Sequence, residues 1–409
     1  MSHSKVLIDS DQNLSVKEWK LTSDEVGDRS ASAVSGESVG SENRPYRAGQ
    51  SDSGTLRWSV TKRRLAGGRQ EGVDIVEVDN GVMKFTVVPT RGCNIWTANA
   101  GDLRLGWDSP VSEIVHPQFV NLTERGGLGW LAGFGEWISR CGLESMGAPG
   151  LDGNQPLTLH GRINYIPASY LEVRYEAVPV PRIVLRGIVN ETLMFGPQLR
   201  LTTEISSAIG DRALTLDDTV TNLADAPQEM QLLYHPNFGP PLLGAGAEFV
   251  APVRKVAPRD PRAAEGGMAG WNVYTGPHAP GYSEQVYLME LYADDNAMTE
   301  VLLKSPDGAK GAAISFNVGE LPYMSLWKNE APLRTGYVTG LEPATSYPYP
   351  KPVERSAGRV PTLAGGESYH TKVTFSALVS AKEVEQAVKR IKGLQKASPE
   401  VNETPLREG

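Results

Sequence analysis

The stretch "YLEVRYEAVPVPRIVLRGIVNETLMFGPQLRLTTEISSAIGDRALTLDDTVTNL", residues 170–223, decides the fold. Leu201, Thr203 and Ile205 alternate with Thr202, Glu204 and Ser206, and Gly210-Asp211 supplies a turn. Leu214, Leu216, Asp218 and Val220 then alternate again on the return run. A period of two marks a strand with one buried face, and a short Gly-containing turn between two such runs marks a hairpin. The same texture appears upstream in "GVDIVEVDNGVMKFTVVPTRG" (72–92), where Asp79-Asn80-Gly81 tolerates the positive φ of a hairpin turn. Most of residues 57–379 therefore reads as strands joined by loops, an all-β chain built as a large antiparallel sandwich.

The ends read differently. Residues 24–56 are rich in Ser, Gly and charge with few large apolar side chains, too little to offset the entropy of ordering. The sequence predicts a largely flexible segment over 1–56 and one domain over 57–396. That domain ends in a helix over "SAKEVEQAVKRIKGLQ" (380–395), with Ser380 and Glu383 as a capping box and Val384, Ala387, Val388, Ile391 and Leu394 on one face. The helix is expected to pack over the sandwich, and 397–409 reads as a frayed tail. No repeat of solenoid or propeller period is present.

With 409 residues and 40% hydrophobic content, the chain can bury a large core. Its formal charge of -8 is spread without a basic stripe, which argues against a nucleic-acid partner. No window approaches 18 apolar residues, so no ordinary membrane span is expected. The start "MSHSKVLIDSDQNLSVKEW" lacks a secretory pattern, and Cys93 and Cys141 are two isolated thiols; a reducing, cytoplasmic setting follows as an expectation. No Cys/His spacing matches a structural zinc site.

Three stretches share a layout suited to chemistry. His160 in "LTLHGRINYIPA", His235 in "QLLYHPNFG" and Glu342 in "TGYVTGLEPATSYPYPK" each stand where an apolar run meets a turn. A sandwich presents ionisable groups to a concave face at such strand ends. A histidine and a carboxylate brought together there can act as an acid and base pair. Taken alone, a histidine at a strand end is more often a satisfied polar residue than a catalyst.

In their order and wording, "LHG" (159–161), "YHPNFG" (234–239) and "GLEPAT" (340–345) resemble the His-Gly, His-Pro and Glu-Pro landmarks of the aldose 1-epimerase, or galactose mutarotase-like, superfamily. The fuller stretches "FTVVPTRGCNIW", "LGWDSP", "GGLGWLAGFGEWISRCGLESMGAPG", "LHGRINYIPA", "LLYHPNFG", "LPYMSLWKN" and "GLEPATSYPYPK" resemble a divergent bacterial branch known mostly as a domain of unknown function. The resemblance spans about residues 57–380 and implies a β-supersandwich of two large antiparallel sheets with a sugar cleft on one concave face.

It also implies roles. Glu342 would take the anomeric hydroxyl proton and His235 would protonate the ring oxygen, opening the hemiacetal. His160 would hydrogen-bond the sugar, and Arg91 or Arg162 would bind a hydroxyl or carboxyl group. Asn237, Trp327, Lys328 and Glu144 complete the expected substrate contacts. Trp327 is the tryptophan assigned to the cleft, whereas Trp96, Trp107, Trp130 and Trp137 are read mostly as core. The Gly-rich "GGLGWLAGFG" lacks a phosphate-loop ending and reads as a loop bordering the pocket.

The expected ligand is a monosaccharide or sugar derivative, with no cofactor and no resident metal; a homodimer is left open. This chain departs from the family pattern in having Asn237-Phe238 after the His-Pro dipeptide. The acid that usually reads sugar hydroxyls has no clear position, and Asp294 and Asp295 are its candidates. Two other readings stand beside the epimerase: a carbohydrate-binding protein without turnover, and a metal-assisted sugar isomerase or lyase using His160, His235 and Glu144.

Overall fold

The computed structural model describes residues 2–27 and 56–406. Two large antiparallel sheets, one of ten strands and one of thirteen, face each other. The alternating stretch over residues 170–223 forms the middle of the ten-stranded sheet, as strands Tyr170–Glu176, Arg182–Thr192, Gln198–Ala208 and Ala213–Asn222. Leu199, Leu201, Ile205, Leu214, Leu216 and Val220 all point inward and are buried, as their period of two requires.

The two predicted hairpin turns meet between the sheets. The Asn80 side chain donates to Ser207 Oγ at 2.7 Å, Asp211 O at 2.8 Å and Ala208 O at 2.9 Å. In return, Gly210 N donates to Asn80 O at 2.9 Å. A turn residue of one sheet thus satisfies the turn of the other, which fixes their relative register.

Structure begins earlier than the sequence reading placed it. His3–Asp9 pairs antiparallel with Tyr170–Glu176 in the ten-stranded sheet, and Trp19–Thr22 pairs with Ser59–Arg64 in the other. These strands carry only one or two buried side chains each, so periodicity alone gives them little signal. The Ser/Gly-rich stretch lies mostly at 28–55, outside the described residues. The tail is likewise pinned before its last residues: Glu400–Val401 pairs in parallel with Lys255 and Val256.

The C-terminal helix spans Ala381–Leu394. Ser380 caps it by accepting from Glu383 N, while Glu383 Oε2 accepts from Val379 N at 2.8 Å, one residue before the cap, a variant of the capping box. Val384, Ala387 and Ile391 pack on Leu302, Ala313 and Leu378 on the outer face of the ten-stranded sheet. Among the described residues, no helix is long and apolar enough to cross a membrane.

A buried ionic network ties the sheets together. Arg140 Nε lies 2.5 Å from Asp218 Oδ2, and its second terminal nitrogen donates to Thr203 Oγ1 at 2.7 Å. The Tyr234 hydroxyl donates to the same Asp218 oxygen at 2.7 Å. Arg140 and Tyr234 are partners across neighbouring strands.

A second buried carboxylate, Glu191, accepts from Leu143 N at 2.7 Å through one oxygen, and the other oxygen has no partner. Burial first, then the nearby Glu144 charge, pushes its carboxyl up to about 7, against the opposing Leu143 amide. Below pH 4.5 both folded and unfolded states hold this proton; above it the unfolded chain releases the proton first. Stability from this group is therefore lost as pH rises toward 7, by an amount on the order of 3 kcal/mol. Glu191→Gln should remove that loss: its melting temperature relative to wild type should rise between pH 5 and pH 8. A difference that stays flat across that range would refute the buried-proton reading.

Candidate active site

The site lies on the face of the thirteen-stranded sheet that points away from the ten-stranded one. Five adjacent strands build its floor, in spatial order Ile138–Leu143, Gln231–Phe238, Val338–Ala344, Tyr323–Asn329 and Gln285–Leu291. Leu233 faces Ala344 and Asn237 faces Gly340, so His235 stands directly opposite Glu342. Ser139 faces His235 on one side, and Ser325 faces Glu342 on the other. Strand pairing therefore sets one transverse row, Ser139–His235–Glu342–Ser325, without help from any loop.

At its centre, His235 Nε2 lies 3.2 Å from Glu342 Oε1, and both side chains are about 5% exposed. The contact is not aligned as a hydrogen bond, since Glu342 Oε1 has no hydrogen-bond partner; His235 Nδ1, on the other side of the ring, has none either. Gly340 keeps this space open: a Cβ there would fall 2.3 Å from Glu342 Oε1 and 3.2 Å from His235 Cε1.

Aromatic rings wall the pair. The Phe134 and Trp327 rings each lie 5.3 Å from the His235 ring, and Trp130 lies 6.2 Å away. Trp130 and Phe134 come from the Gly-rich loop that the sequence placed at the pocket border. His160 stands 5.3 Å from His235, ring to ring, and edge-on to Trp130 at 4.8 Å. Its Nδ1 is 2.9 Å from Met146 O, which fixes the ring. His160 has φ 58, and Gly161 follows at φ 69, where a Cβ would strike Ser145 O at 2.0 Å. Glycine at 161 is thus a steric requirement of this sharp bend, and His160 is held in the left-handed region just before it.

The electrostatics favour neutral forms. Burial pushes the Glu342 carboxyl up to about 8; the Glu284 charge adds to the effect and Arg259 opposes it. Burial, then His160, holds His235 well below the ordinary histidine range, with the Asn237 side chain acting the other way. His160 is lowered to about 4, again chiefly by burial. At neutral pH the His235–Glu342 pair holds one proton, resting on the carboxyl.

The remaining predicted contacts divide. Asn237 is buried and donates to His235 O at 2.8 Å and Glu136 O at 3.1 Å, so it braces the histidine strand. Trp327 lines the site and donates its indole N–H to Glu284 Oε2 at 2.6 Å. Lys328, its neighbour, faces the other side of the sheet and donates to Val273 O at 2.7 Å. Arg91 is fully buried against Glu136 at 2.5 Å and donates to Gly133 O, so it anchors the aromatic loop rather than a ligand. Arg162 is exposed, and Glu144 is half-buried; their charges act on Glu191, away from the pair.

Asp294 and Asp295 occupy the turn that leads into strand Met298–Lys304, with Asp294 Oδ1 accepting from Asn296 N and Met298 N. The acid at the rim is instead Glu284, which sits just before strand Gln285–Leu291 and pairs with Arg259 at 3.2 Å. Glu284 does stand at a strand end, whereas His235 and Glu342, expected there, lie inside the strands Gln231–Phe238 and Val338–Ala344. Among the described residues, no group of three or more His, Cys, Asp or Glu side chains is placed to hold a metal ion.

Two facing antiparallel sheets, with a histidine and a glutamate paired across neighbouring strands on an outer face, define a galactose mutarotase-like β-supersandwich. The model of the domain of unknown function DUF4432 matches residues 70–377, and the chain belongs to that family. A solved structure from Klebsiella pneumoniae subsp. pneumoniae MGH 78578, provisionally assigned as an aldose 1-epimerase, is 34% identical with a TM-score of 0.90 and full coverage of both chains. A galactose mutarotase-like protein from Clostridium acetobutylicum is 14% identical; 78% of this chain aligns with 98% of that one at a TM-score of 0.54. No curated protein matches the chain significantly.

Proposed function

We propose that the protein is a sugar epimerase of the aldose 1-epimerase kind, interconverting anomers by proton transfer at His235 and Glu342. The observation that carries this reading is the His235 Nε2–Glu342 Oε1 approach of 3.2 Å inside an aromatic-walled, largely water-excluded site. The similarity to the Klebsiella protein supports the same class.

The chemistry needs a base at the anomeric hydroxyl and an acid at the ring oxygen. The pair's single proton first passes from the Glu342 carboxyl to His235 Nε2; Glu342 then takes the hydroxyl proton as His235 delivers its own to the ring oxygen and the C1–O5 bond breaks. Rotation about C1–C2 and the reverse transfers close the other anomer. The pair returns to its starting protonation, so these side chains complete the cycle by themselves. Trp327 and Phe134 offer rings to the sugar C–H faces, and Glu284 offers a carboxylate to a hydroxyl.

The test is anomer exchange, followed by NMR or polarimetry on a panel of neutral aldoses. Acceleration well above the buffer rate, unchanged by a chelator, is expected for at least one sugar. Sugar binding by calorimetry with no exchange on any member would replace this reading with a binding protein. Loss of activity in chelator would replace it with a metal-assisted enzyme.

A further inference from the structure

The proposed chemistry uses only the inner two members of the row Ser139–His235–Glu342–Ser325. The outer two are buried serines, about 1% exposed or less, whose hydroxyls have no hydrogen-bond partner. An orphaned buried hydroxyl is unfavourable and unusual. Here two occur, one directly opposite each member of the pair. Directly opposed residues on one sheet face have Cβ atoms about 5 Å apart, within reach of a rotating hydroxyl and a longer neighbour. The pair has orphans of its own, His235 Nδ1 and Glu342 Oε1, and Asn237 Oδ1 is another in the same site.

We propose that Ser139 and Ser325 are positioning residues for the acid–base pair, supplying hydroxyls that hydrogen-bond its charge-separated form. This rests on the acid–base reading above. In the step concerned, one proton leaves the Glu342 carboxyl and arrives at His235 Nε2; no other bond forms or breaks. Nε2 can accept that proton only in the tautomer that already carries Nδ1–H; on the imidazolium this N–H becomes a stronger donor, and Ser139 Oγ is an acceptor for it beside the Asn237 side chain. The new carboxylate needs a donor, and the Ser325 hydroxyl is one. A serine hydroxyl carries one donor and two acceptor sites and rotates freely, so it serves both charge states of the pair. Alanine serves neither.

The other titratable groups acting on the pair are His160, Glu284, Arg259 and Cys141. All of them remain in Ser139→Ala and Ser325→Ala, so a change in either variant belongs to the hydroxyl.

The experiment uses the full chain with Ser139→Ala, Ser325→Ala and Ser325→Thr. Titrations by NMR without sugar follow the His235 ring nitrogens and the Glu342 carboxyl carbon. Loss of a hydrogen bond to a charged group predicts a shift of about one pH unit: the His235 midpoint downward in Ser139→Ala, the Glu342 midpoint upward in Ser325→Ala. With an accepted sugar, each alanine variant should lower kcat about tenfold at unchanged KM, and Ser325→Thr should recover most of the loss. Unmoved midpoints overturn the proposal whatever the rates do. A raised KM at unchanged kcat also overturns it, because the hydroxyls would then touch the sugar. Shifted midpoints in a protein that exchanges no sugar uphold the positioning role and sink the epimerase reading alone.

Discussion

Glu342→Gln should lower anomer interconversion by about 10²–10⁴-fold, the contribution of a positioned base, while the protein folds as wild type does, melting alike near pH 4.5 and higher than wild type at neutral pH. The amide matches the carboxyl in shape, and the site holds that carboxyl in its neutral form, pushed up to about 8 by burial. Glutamine therefore removes proton transfer without placing a new polar group in the site.

The pH dependence of the wild type follows from the same pair. Its working form carries one proton shared between His235 and Glu342. That proton is lost as pH rises through about 8, so activity should fall on the alkaline side. On the acid side the pair gains a second proton only well below the ordinary histidine range, so activity should persist there. Stability moves the opposite way from the usual carboxylate case. A folded value above the unfolded one means that Glu342 costs stability as pH rises from about 4.5 to 8, and the Gln variant should gain on wild type across that window. Exchange rates and melting curves on both proteins check this. A variant retaining more than about a tenth of wild-type activity would remove Glu342 from the base role.

The parts of the fold that were legible in sequence are those fixed by strand period and turn chemistry. His235 and Glu342 were legible as candidates through the order of their motifs; their strands, Gln231–Phe238 and Val338–Ala344, are buried on both faces, so no period of two marks them or their pairing. Lys328 shows the strand period neglected: as Trp327's neighbour on a strand, it had to face the other way. Arg91 sits in a motif that looks like a ligand-binding loop, but nothing local says that its charge is matched by Glu136, 45 residues on. Glu284 precedes its strand, whereas the candidates Asp294 and Asp295 follow it, and nothing local distinguishes the two ends. The N-terminal strand His3–Asp9 was invisible for another reason: it is a thin layer added near the sheet edge, with a single buried side chain, Leu7. Asp218 is the most instructive residue. It falls in register with Leu214, Leu216 and Val220, a charge on the buried face, and so advertised a partner that the sequence could not name.

That partner makes the second large expectation. Asp218→Asn should destabilise the fold by about 3–5 kcal/mol, because it strands the buried Arg140 guanidinium without its counter-charge. Arg140 is fully buried, and besides Asp218 it is held by Thr203 Oγ1, Cys93 O and Asn94 Oδ1. These neutral acceptors cannot offset a whole charge. Arg140→Met strands Asp218 instead, with only the Tyr234 hydroxyl left as a donor among these groups, and should cost a similar amount. The double variant Arg140→Met/Asp218→Leu removes both charges and should be more stable than either single one, since an apolar pair of similar volume suits this interior. Denaturant unfolding of the four proteins measures the coupling; costs that simply add would show that the pair is not an isolated buried ion pair. The functional consequence follows from adjacency. Arg140 sits next to Ser139, and Tyr234 next to His235, so the network that joins the two sheets also holds the row of the active site from behind. Both single variants should therefore lose activity at temperatures where they remain folded, and the double variant should recover stability before it recovers rate.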